Sequence, residues 1–243
     1  MSMLDQDAAL AAEIAEAAGV LLLKTRAECG LSGKALGDAG DAAAQKLILD
    51  TLRAARPDDA LLSEEGGSDA DRVARRRVWI IDPLDGTREY SEGRTDWAVH
   101  VALAIDGAPV VGAVALPGRG MVFRSDRPEA LPPLPERPRV LVSRTRPPRE
   151  AERIARQLGA DLVAMGSAGA KAMAVILGEG DIYLHAGGQY QWDNCAPAAV
   201  ALAFGLNATR LDGSPLVYNR ADTLVPDLLI CRREYVAAVL EAL

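Results

Sequence analysis

The stretch WIIDPLDGTREY, at residues 79–90, carries the residue types best suited to chemistry. Apolar residues lead into Asp82, and Asp85 follows three positions later, just before Gly86 and Thr87. The proline after the first aspartate disfavours a helical conformation there, so this carboxylate is expected at the end of a buried strand. Gly86 lets a ligand approach the backbone, and Thr87 offers a hydroxyl beside free amides, which suits a phosphate oxygen. Two carboxylates held this close repel each other, which predicts a divalent cation between them.

The ligand types and their spacing narrow the choice of cation and of chemistry. A cluster of oxygens without His or Cys favours Mg²⁺ or Mn²⁺ over zinc. The pattern D-x-x-D-G is not an EF-hand loop, because the ligands alternate differently and proline takes the second place. It also lacks the D-x-D-x-T order of aspartyl-phosphate enzymes, since Pro83 stands two residues before Asp85. A charged turn that hydrogen-bonds its own backbone remains the plain alternative.

Further acidic residues occur at the ends of predicted elements. Glu64 and Glu65 follow a short apolar strand, Asp41 heads a helical pattern, and Asp193 opens an alanine-rich one. Asp41 and Asp193 are each predicted to be a helix N-cap, because aspartate accepts the free amides of a first turn. From the local sequence alone, Asp41 and Asp193 could simply cap helices, and Glu64 and Glu65 could simply be an exposed acidic pair.

Composition limits the classes of protein that the chain can belong to. Of its 243 residues 49% are hydrophobic, enough for one sizeable core or for two lobes that share a cleft. A formal net charge of −7 argues against general nucleic-acid binding. The start lacks the order of a signal peptide, and no apolar run has the roughly 18 residues of a membrane span. Cys29, Cys195 and Cys231 are widely spaced and are expected to be reduced and buried, as in a cytoplasmic protein.

The hydrophobic periodicity predicts an α+β lobe followed by an α/β lobe. Residues 1–126 form the first, with helices at 5–24 and 41–54 and strands at 60–62, 78–81, 97–105, 108–116 and 120–124. Asp106-Gly107 is a hairpin turn. The proline-rich segment 127–138 is predicted to connect the lobes without regular structure. Residues 139–243 form the second, with strands at 139–143, 161–165, 181–186 and 227–231 and helices at 148–158, 168–178, 193–204 and 233–242.

Together the acidic pair, the D-P-L-D-G-T motif and the W-D dipeptide at a helix start resemble the inositol monophosphatase superfamily of lithium-sensitive, magnesium-dependent phosphatases. The resemblance implies a layered αβαβα sandwich of the inositol monophosphatase and fructose-1,6-bisphosphatase type. Arg88-Glu89-Tyr90, VSRTRPP at 142–148 and GSAGAKAMAVILGEGDIYLHAGG at 166–188 look most like the CysQ-type members. Those members act on 3′-phosphoadenosine 5′-phosphate (PAP).

The resemblance also implies a role for each matching residue. The metal ligands that it implies are the carbonyl of Leu84 and the carboxylates of Glu64, Asp82, Asp85 and Asp193. The catalytic residues are Glu64, Asp41 and Thr87, of which the last two polarise the attacking water. The substrate contacts are Asp85, Gly86, Thr87, Arg88, Arg144, Ser167, Lys171, His185 and Asp193. The first lobe would carry most metal ligands, and the second would carry Asp193 and most other substrate contacts.

The function implied is a 3′(2′),5′-bisphosphate nucleotidase that hydrolyses PAP to AMP and phosphate with two or three Mg²⁺ ions, for which Mn²⁺ could substitute. A cytoplasmic homodimer that serves sulfur assimilation is expected, without a membrane or nucleic-acid partner. Inositol 1-phosphate and fructose 1,6-bisphosphate remain alternative substrates, and a non-catalytic metal or nucleotide sensor is the alternative of a different class.

The chain departs from the family pattern at a few positions. Asp38 stands where the family carries a threonine three residues before Asp41. The spacing from Ser167 to Lys171 is one residue longer than in many nucleotide-acting members. His185 replaces an arginine found in several of them, and His100, in the middle of a strand, is predicted to be structural.

Overall fold

A computed structural model describes residues 2–243 of the chain. Within them the helices are α1 (Met3–Glu28), α2 (Gly33–Ala55), α3 (Thr87–Ser91), α4 (Arg149–Leu158), α5 (Ala168–Ile176), α6 (Gln191–Ala203) and α7 (Val236–Ala242). The strands are β1 (Ala60–Ser63), β2 (Arg77–Asp85), β3 (Ala98–Ile105), β4 (Ala108–Leu116), β5 (Met121–Arg124), β6 (Arg139–Ser143), β7 (Asp161–Met165), β8 (Ile182–Tyr190), β9 (Asn207–Thr209) and β10 (Leu224–Cys231). Each predicted helix and strand has a counterpart here, and α3 and β9 are additional elements.

The strands form two mixed sheets, one in each half of the chain. The first has the order β1-β2-β3-β4-β5, in which β1 and β2 are parallel and the other pairs are antiparallel. The second has the order β7-β6-β8-β10-β9, with a parallel part from β7 to β8 and an antiparallel part beyond it. The proline-rich segment between them contains no helix or strand, as predicted.

Three clusters of buried side chains arrange these elements in five layers. The α1 and α2 helices cover the outer face of the first sheet, and α4 and α7 cover the outer face of the second. Between the sheets lie α5 and α6, whose apolar side chains join one cluster with both sheets. The predicted αβαβα sandwich is therefore confirmed. The division of the chain into two lobes stays a prediction.

Strand β2 is apolar on both faces because both of its faces are covered. Trp79 and Ile81 lie in the cluster with α1 and α2, whereas Val78 and Ile80 lie in the cluster with α5 and α6. A strand covered on both sides reads as a continuous apolar run and not as an alternating one. This central strand fixes the position of the motif that follows from it.

Helix α2 begins at Gly33, so Asp41 lies inside the helix and the predicted N-cap is wrong. Glycine inside a helix normally weakens it, which is why the sequence pattern placed the start later. Here the missing side chain of Gly37 permits a close approach to α3. A Cβ atom on this residue would lie 2.5 Å from Cγ2 of Thr87.

Helix α6 begins at Gln191, so Asp193 is its third residue and the predicted N-cap is wrong here too. The side chain of Asp193 reaches back and accepts a hydrogen bond from the amide of Tyr190 at 2.6 Å. The aspartate thus stabilises the helix start from within the first turn, as the acidic residue of a capping box does.

Several smaller predictions can also be compared with the structure. Asp106 and Gly107 form the turn between β3 and β4 with φ angles of 52° and 81°, which confirms the hairpin. All three cysteines are free, and Cys195 and Cys231 are buried. Cys29 is exposed at the end of α1, so its predicted burial is wrong. Between residues 2 and 243 no helix has the length and apolar character needed to cross a bilayer.

Candidate metal centre and adjoining cleft

Strand β2 and helix α6 bring three aspartates together. Each of Asp82, Asp85 and Asp193 offers one carboxylate oxygen, and these three oxygens lie within 4.8 Å of one another. Asp82 and Asp85 come from the end of the central strand, and Asp193 comes from the first turn of α6 in the other half of the chain. The structure therefore assembles three of the four predicted carboxylate ligands at one point.

Burial and mutual repulsion raise the pKa values of two of these aspartates. Burial raises the pKa of Asp82 well above its ordinary value, and the charges of Glu64 and Asp85 raise it further. Burial and the charge of Asp85 raise the pKa of Asp193 to about 7. Carboxylates that resist ionisation to this extent are typical of sites where a positive ion is needed to hold them charged.

Asp85 differs from its neighbours because two hydrogen-bond donors and an imidazole surround one of its oxygens. Oδ2 accepts a hydrogen bond from the hydroxyl of Ser167, another from the amide of Gly169 at 2.7 Å, and lies 3.3 Å from Nε2 of His100. Burial alone would raise the pKa of Asp85, but the nearby imidazole of His100 and the hydrogen bond with Ser167 lower it to about 2. Asp85 is therefore fixed in place as an anion.

His100 is a site residue that the sequence reasoning missed, because it was assigned a structural role. Its ring is fully buried, with Nδ1 3.1 Å from the carbonyl oxygen of Trp192 and Nε2 near Asp85. Burial opposes a charge on the ring, but the carboxylate of Asp85 raises its pKa. The alternation along β3 was the available signal: His100 has the same parity as Ala98 and Ala102, which face the layer of α5 and α6.

Asp41 and Thr87 lie side by side next to this cluster. The hydroxyl of Thr87 is 3.3 Å from Oδ2 of Asp41 and 3.1 Å from the carbonyl oxygen of Leu84. Burial, followed by the charges of Glu64 and Glu65, raises the pKa of Asp41 to about 8. Its other oxygen, Oδ1, is buried and has no hydrogen-bond partner within residues 2–243. A buried acceptor of this kind needs a partner, such as water or an ion.

Glu64 lies beside the cluster and is not one of the three aspartates within 4.8 Å. It follows β1, the parallel neighbour of β2, and its side chain is exposed. Its charge nevertheless reaches the cluster, since it raises the pKa of Asp82. The structure thus places the fourth predicted carboxylate at the rim of the site.

The residues present fit a hard divalent cation. Three crowded carboxylates, a fourth at the rim and the unpartnered oxygen of Asp41 form an all-oxygen donor set. Carboxylate oxygens without sulfur or imidazole ligands suit Mg²⁺ or Mn²⁺. His100 does not weaken this fit, because both of its nitrogens contact acceptors of the protein.

A polar cleft of 510 Å³ adjoins the cluster. One wall is formed by the residues from Gly86 to Glu89, another by the segment from Ser143 to Arg146, and the floor by Gly166, Ser167 and Lys171. Gly86 has a φ angle of 90° and begins α3. Ser167 connects the two regions, because it lines the cleft and also donates to Asp85.

The predicted substrate contacts are in different environments. Arg88 is exposed in the cleft. Arg144 lies in the cleft wall and donates to Glu89 and to Glu92, each at 2.8 Å. Lys171 is buried in the floor, donates to the carbonyl oxygens of Gly166 and Ser167, and has a pKa that burial lowers to about 8.

Three predicted substrate contacts, Asp85, Asp193 and His185, lie outside the cleft lining, and of these only His185 is also absent from the aspartate cluster. It is half-buried in β8, and its Nε2 lies 2.9 Å from the carbonyl oxygen of Gly188. Burial lowers its pKa, and the charges of Lys171 and Arg146 lower it further.

Comparison with known proteins gives the family of the chain. A sequence model of the inositol monophosphatase family matches residues 3–129 and 136–242. The chain belongs to the inositol monophosphatase family. One member comes from Mycobacterium leprae (strain TN) and is named 3′-phosphoadenosine 5′-phosphate phosphatase. It is 54% identical over an aligned length of 243 residues, and the alignment covers 94% of this chain and 90% of the relative.

Solved structures of inositol monophosphatase family members share the fold. The inositol monophosphatase from Anabaena (Nostoc) sp. PCC 7120 has a TM-score of 0.83 and 24% identity, covering 99% of this chain and 96% of its own. CysQ from Bacteroides thetaiotaomicron has a TM-score of 0.78 and 24% identity, covering 94% and 97%. At this identity the two structures support the fold alone, and they agree with the five layers described above.

Proposed function

We propose that this protein is a Mg²⁺-dependent 3′(2′),5′-bisphosphate nucleotidase that hydrolyses PAP to AMP and phosphate. The observation that carries the proposal is the contact between two unlike regions. A cluster of three aspartates within 4.8 Å is joined through Ser167 to a cleft lined by Arg88, Arg144, Arg146 and Lys171. One region suits a metal-bound phosphate, and the other suits additional negative charge on the same molecule.

The residues that would hold Mg²⁺ are the carbonyl of Leu84 and the carboxylates of Glu64, Asp82, Asp85 and Asp193. When bound, such an ion supplies a more acidic water and neutralises negative charge that develops on phosphate and leaving-group oxygens. The protein contributes the geometry. Asp85 is fixed by Ser167, Gly169 and His100, and Asp193 is fixed by the amide of Tyr190.

Asp41 and Thr87 would polarise the attacking water by hydrogen bonding. Oδ1 of Asp41 has no partner, so it can accept a hydrogen bond from water, while Thr87 holds Oδ2 at 3.3 Å. The amides of Gly86 and Thr87 would bind oxygens of the phosphate under attack. The water oxygen bonds to phosphorus, and the bond from phosphorus to the 3′ oxygen breaks. Of the two water protons, one remains on the released phosphate and the other is transferred through solvent to the 3′ oxygen.

The choice of substrate rests on charge and on the relatives. The cationic side chains of the cleft favour a substrate with a second phosphate, which PAP and fructose 1,6-bisphosphate have and inositol 1-phosphate lacks. The relative at 54% identity is named a PAP phosphatase, which favours PAP over the sugar. The same name favours an enzyme over a sensor that binds metal or nucleotide without turnover.

Release of phosphate from PAP, inositol 1-phosphate and fructose 1,6-bisphosphate, each measured with Mg²⁺ and with EDTA, tests the proposal. We expect PAP to have the highest kcat/KM and EDTA to abolish turnover. A clear preference for inositol 1-phosphate would contradict the nucleotidase assignment.

Two substitutions distinguish an enzyme from a sensor. Asp85→Asn removes a charged ligand and should lower kcat by orders of magnitude while the protein stays folded. Asp38→Asn is the matched control, since Asp38 pairs with Lys34 on the exposed face of α2 and should be nearly neutral. Wild-type protein without any Mg²⁺-dependent turnover would support the sensor.

The resemblance further supports a cytoplasmic homodimer as part of this proposal. Sedimentation equilibrium would report twice the monomer mass of 25.7 kDa if the dimer forms. A mass that stays at the monomer value over the concentration range would exclude it.

A further inference from the structure

We propose that Arg146, together with Arg88, binds the second phosphate of a nucleoside bisphosphate. Arg144 instead acts as a positioning residue, because its ion pairs hold the two walls of the cleft together. The inference rests on the proposed function and deepens it, because it names the residues that distinguish a bisphosphate from a monophosphate. It also changes the role expected of Arg144, for which the sequence motif VSRTRPP implied a phosphate contact.

Arg144 is already neutralised by the protein. One of its terminal nitrogens lies 2.8 Å from Glu89 and 2.8 Å from Glu92, and its Nε lies 3.2 Å from Glu89. Glu89 is itself buried, and its carboxylate packs against Gly166, where a side chain would overlap it. A guanidinium held by two carboxylates gives little net attraction to an anion. Its contacts join α3 to the segment after β6, which are the two walls of the cleft.

Arg88 and Arg146 lack such partners. Both side chains are exposed and line the cleft, Arg88 from α3 and Arg146 from the segment after β6. Across residues 2–243, no carboxylate oxygen lies within 4.0 Å of either guanidinium. Lys171 in the floor is also without a carboxylate partner, but its ammonium is buried and already donates to two carbonyl oxygens. The free positive charge of the cleft is therefore concentrated on the two arginines.

The two arginines line the same cleft as the residues that would hold the phosphate under attack. The phosphate under attack would lie at Gly86 and Thr87, which line the same cleft, and Arg88 is the next residue along the chain. Arg146 lines the cleft from the opposite wall, on the segment after β6. A molecule with phosphates on both ends of a ribose can therefore contact the metal centre with one and the arginines with the other. A planar guanidinium suits such a phosphate, since it can donate two parallel hydrogen bonds.

Kinetics with a truncated substrate test this assignment. Arg146→Gln should raise KM for PAP by about ten- to a hundredfold, the usual effect of losing a charge-assisted hydrogen bond, with kcat nearly unchanged. The same variant should hydrolyse 3′-AMP, which lacks the 5′-phosphate, with a kcat/KM within about twofold of wild type. The effect on PAP should shrink as salt is added, because an exposed pair is screened.

Arg149→Gln is the matched control, since Arg149 is exposed on the same segment but lies outside the cleft lining, and it should change neither substrate. Arg146→Lys should recover part of the affinity for PAP. An unchanged KM for PAP in Arg146→Gln would overturn the inference, as would an equal loss with 3′-AMP. If wild-type enzyme has the same kcat/KM for 3′-AMP as for PAP, it has no site for a second phosphate, and the inference is also overturned. Wild-type enzyme that prefers inositol 1-phosphate would refute the proposed function itself, and the inference with it.

Discussion

Replacing Gly169 by alanine should disturb Asp85 without removing any charged group. Gly169 lies in the first turn of α5 and donates its amide to Oδ2 of Asp85 at 2.7 Å. A Cβ atom at this position would lie 3.0 Å from Cβ of Ala98 and closer still to Nε2 of His100. The new methyl group and the imidazole cannot occupy the same space, so the ring must leave its position beside Asp85.

The size of the effect follows from two opposing terms. Forcing an extra methyl group into a packed interior costs about 1–3 kcal/mol, whereas replacing glycine by alanine in a helix returns up to about 1 kcal/mol. The expected net destabilisation is about 1–2 kcal/mol. For a chain of this length that corresponds to a fall in Tm of roughly 2–8 °C. Since Asp85 also loses the imidazole of His100 at 3.3 Å, we expect kcat for PAP to fall by about tenfold or more.

Thermal unfolding in EDTA and steady-state kinetics in Mg²⁺ would measure the two effects separately. His100→Ala supplies the internal control, because it removes the ring that the methyl group meets. In that background Gly169→Ala should cost less than about 0.5 kcal/mol, so the two substitutions should be strongly non-additive. A Gly169→Ala protein as stable and active as wild type would refute the reasoning. So would an equal loss of stability with and without the His100 ring.

Further predictions concern pH, packing and metals. Burial raises the pKa of Asp41 to about 8 and of Asp193 to about 7, so the metal-free folded protein binds more protons than the unfolded chain from about pH 4 to about pH 8. Its Tm, measured in EDTA, should therefore fall as pH rises through this window, and a flat profile would count against the raised pKa values. Arg77→Met should lower the free energy of unfolding by about 3 kcal/mol in urea titrations, because the fully buried Asp7 loses a partner at 2.9 Å and keeps Arg56 alone. Saturating Mg²⁺ should raise Tm by several degrees, since the ion binds the folded site, and Asp85→Asn should abolish that rise. Li⁺ at millimolar concentration should reduce phosphate release from PAP, and undiminished turnover would contradict the expected occupation of a magnesium position.

Most of the secondary structure could be read from the sequence because its signals are local. Strand β2 and the hairpin at Asp106-Gly107 depend on apolar runs and on turn residues within a few positions. The errors fell where a tertiary contact outweighs a local preference. Helix α2 continues through Gly37 because that glycine packs against Thr87, and α6 begins before Asp193 because the aspartate caps the helix from within.

The candidate site was only partly accessible from the sequence. The motif around Asp82 and Asp85 and the W-D dipeptide identified the acidic residues, because their types and spacing are unusual. His100 gave no such signal, since a histidine in a buried strand acquires its role from what packs against it. The sequence also could not show the ion pairs of Arg144, because its partners Glu89 and Glu92 lie 55 and 52 residues away in the chain.

The sequence by itself determined which residues could bind a cation and a phosphate, and which segments would form strands and helices. Those properties belong to residue types and to neighbours within one or two turns of the chain. Only the tertiary structure decided that Asp193 meets Asp82 and Asp85, that Asp41 meets Thr87 across 46 residues, and that Arg146 is free where Arg144 is not. Such contacts depend on how the layers pack, because distant side chains meet only after the sheets and helices have fixed their distances.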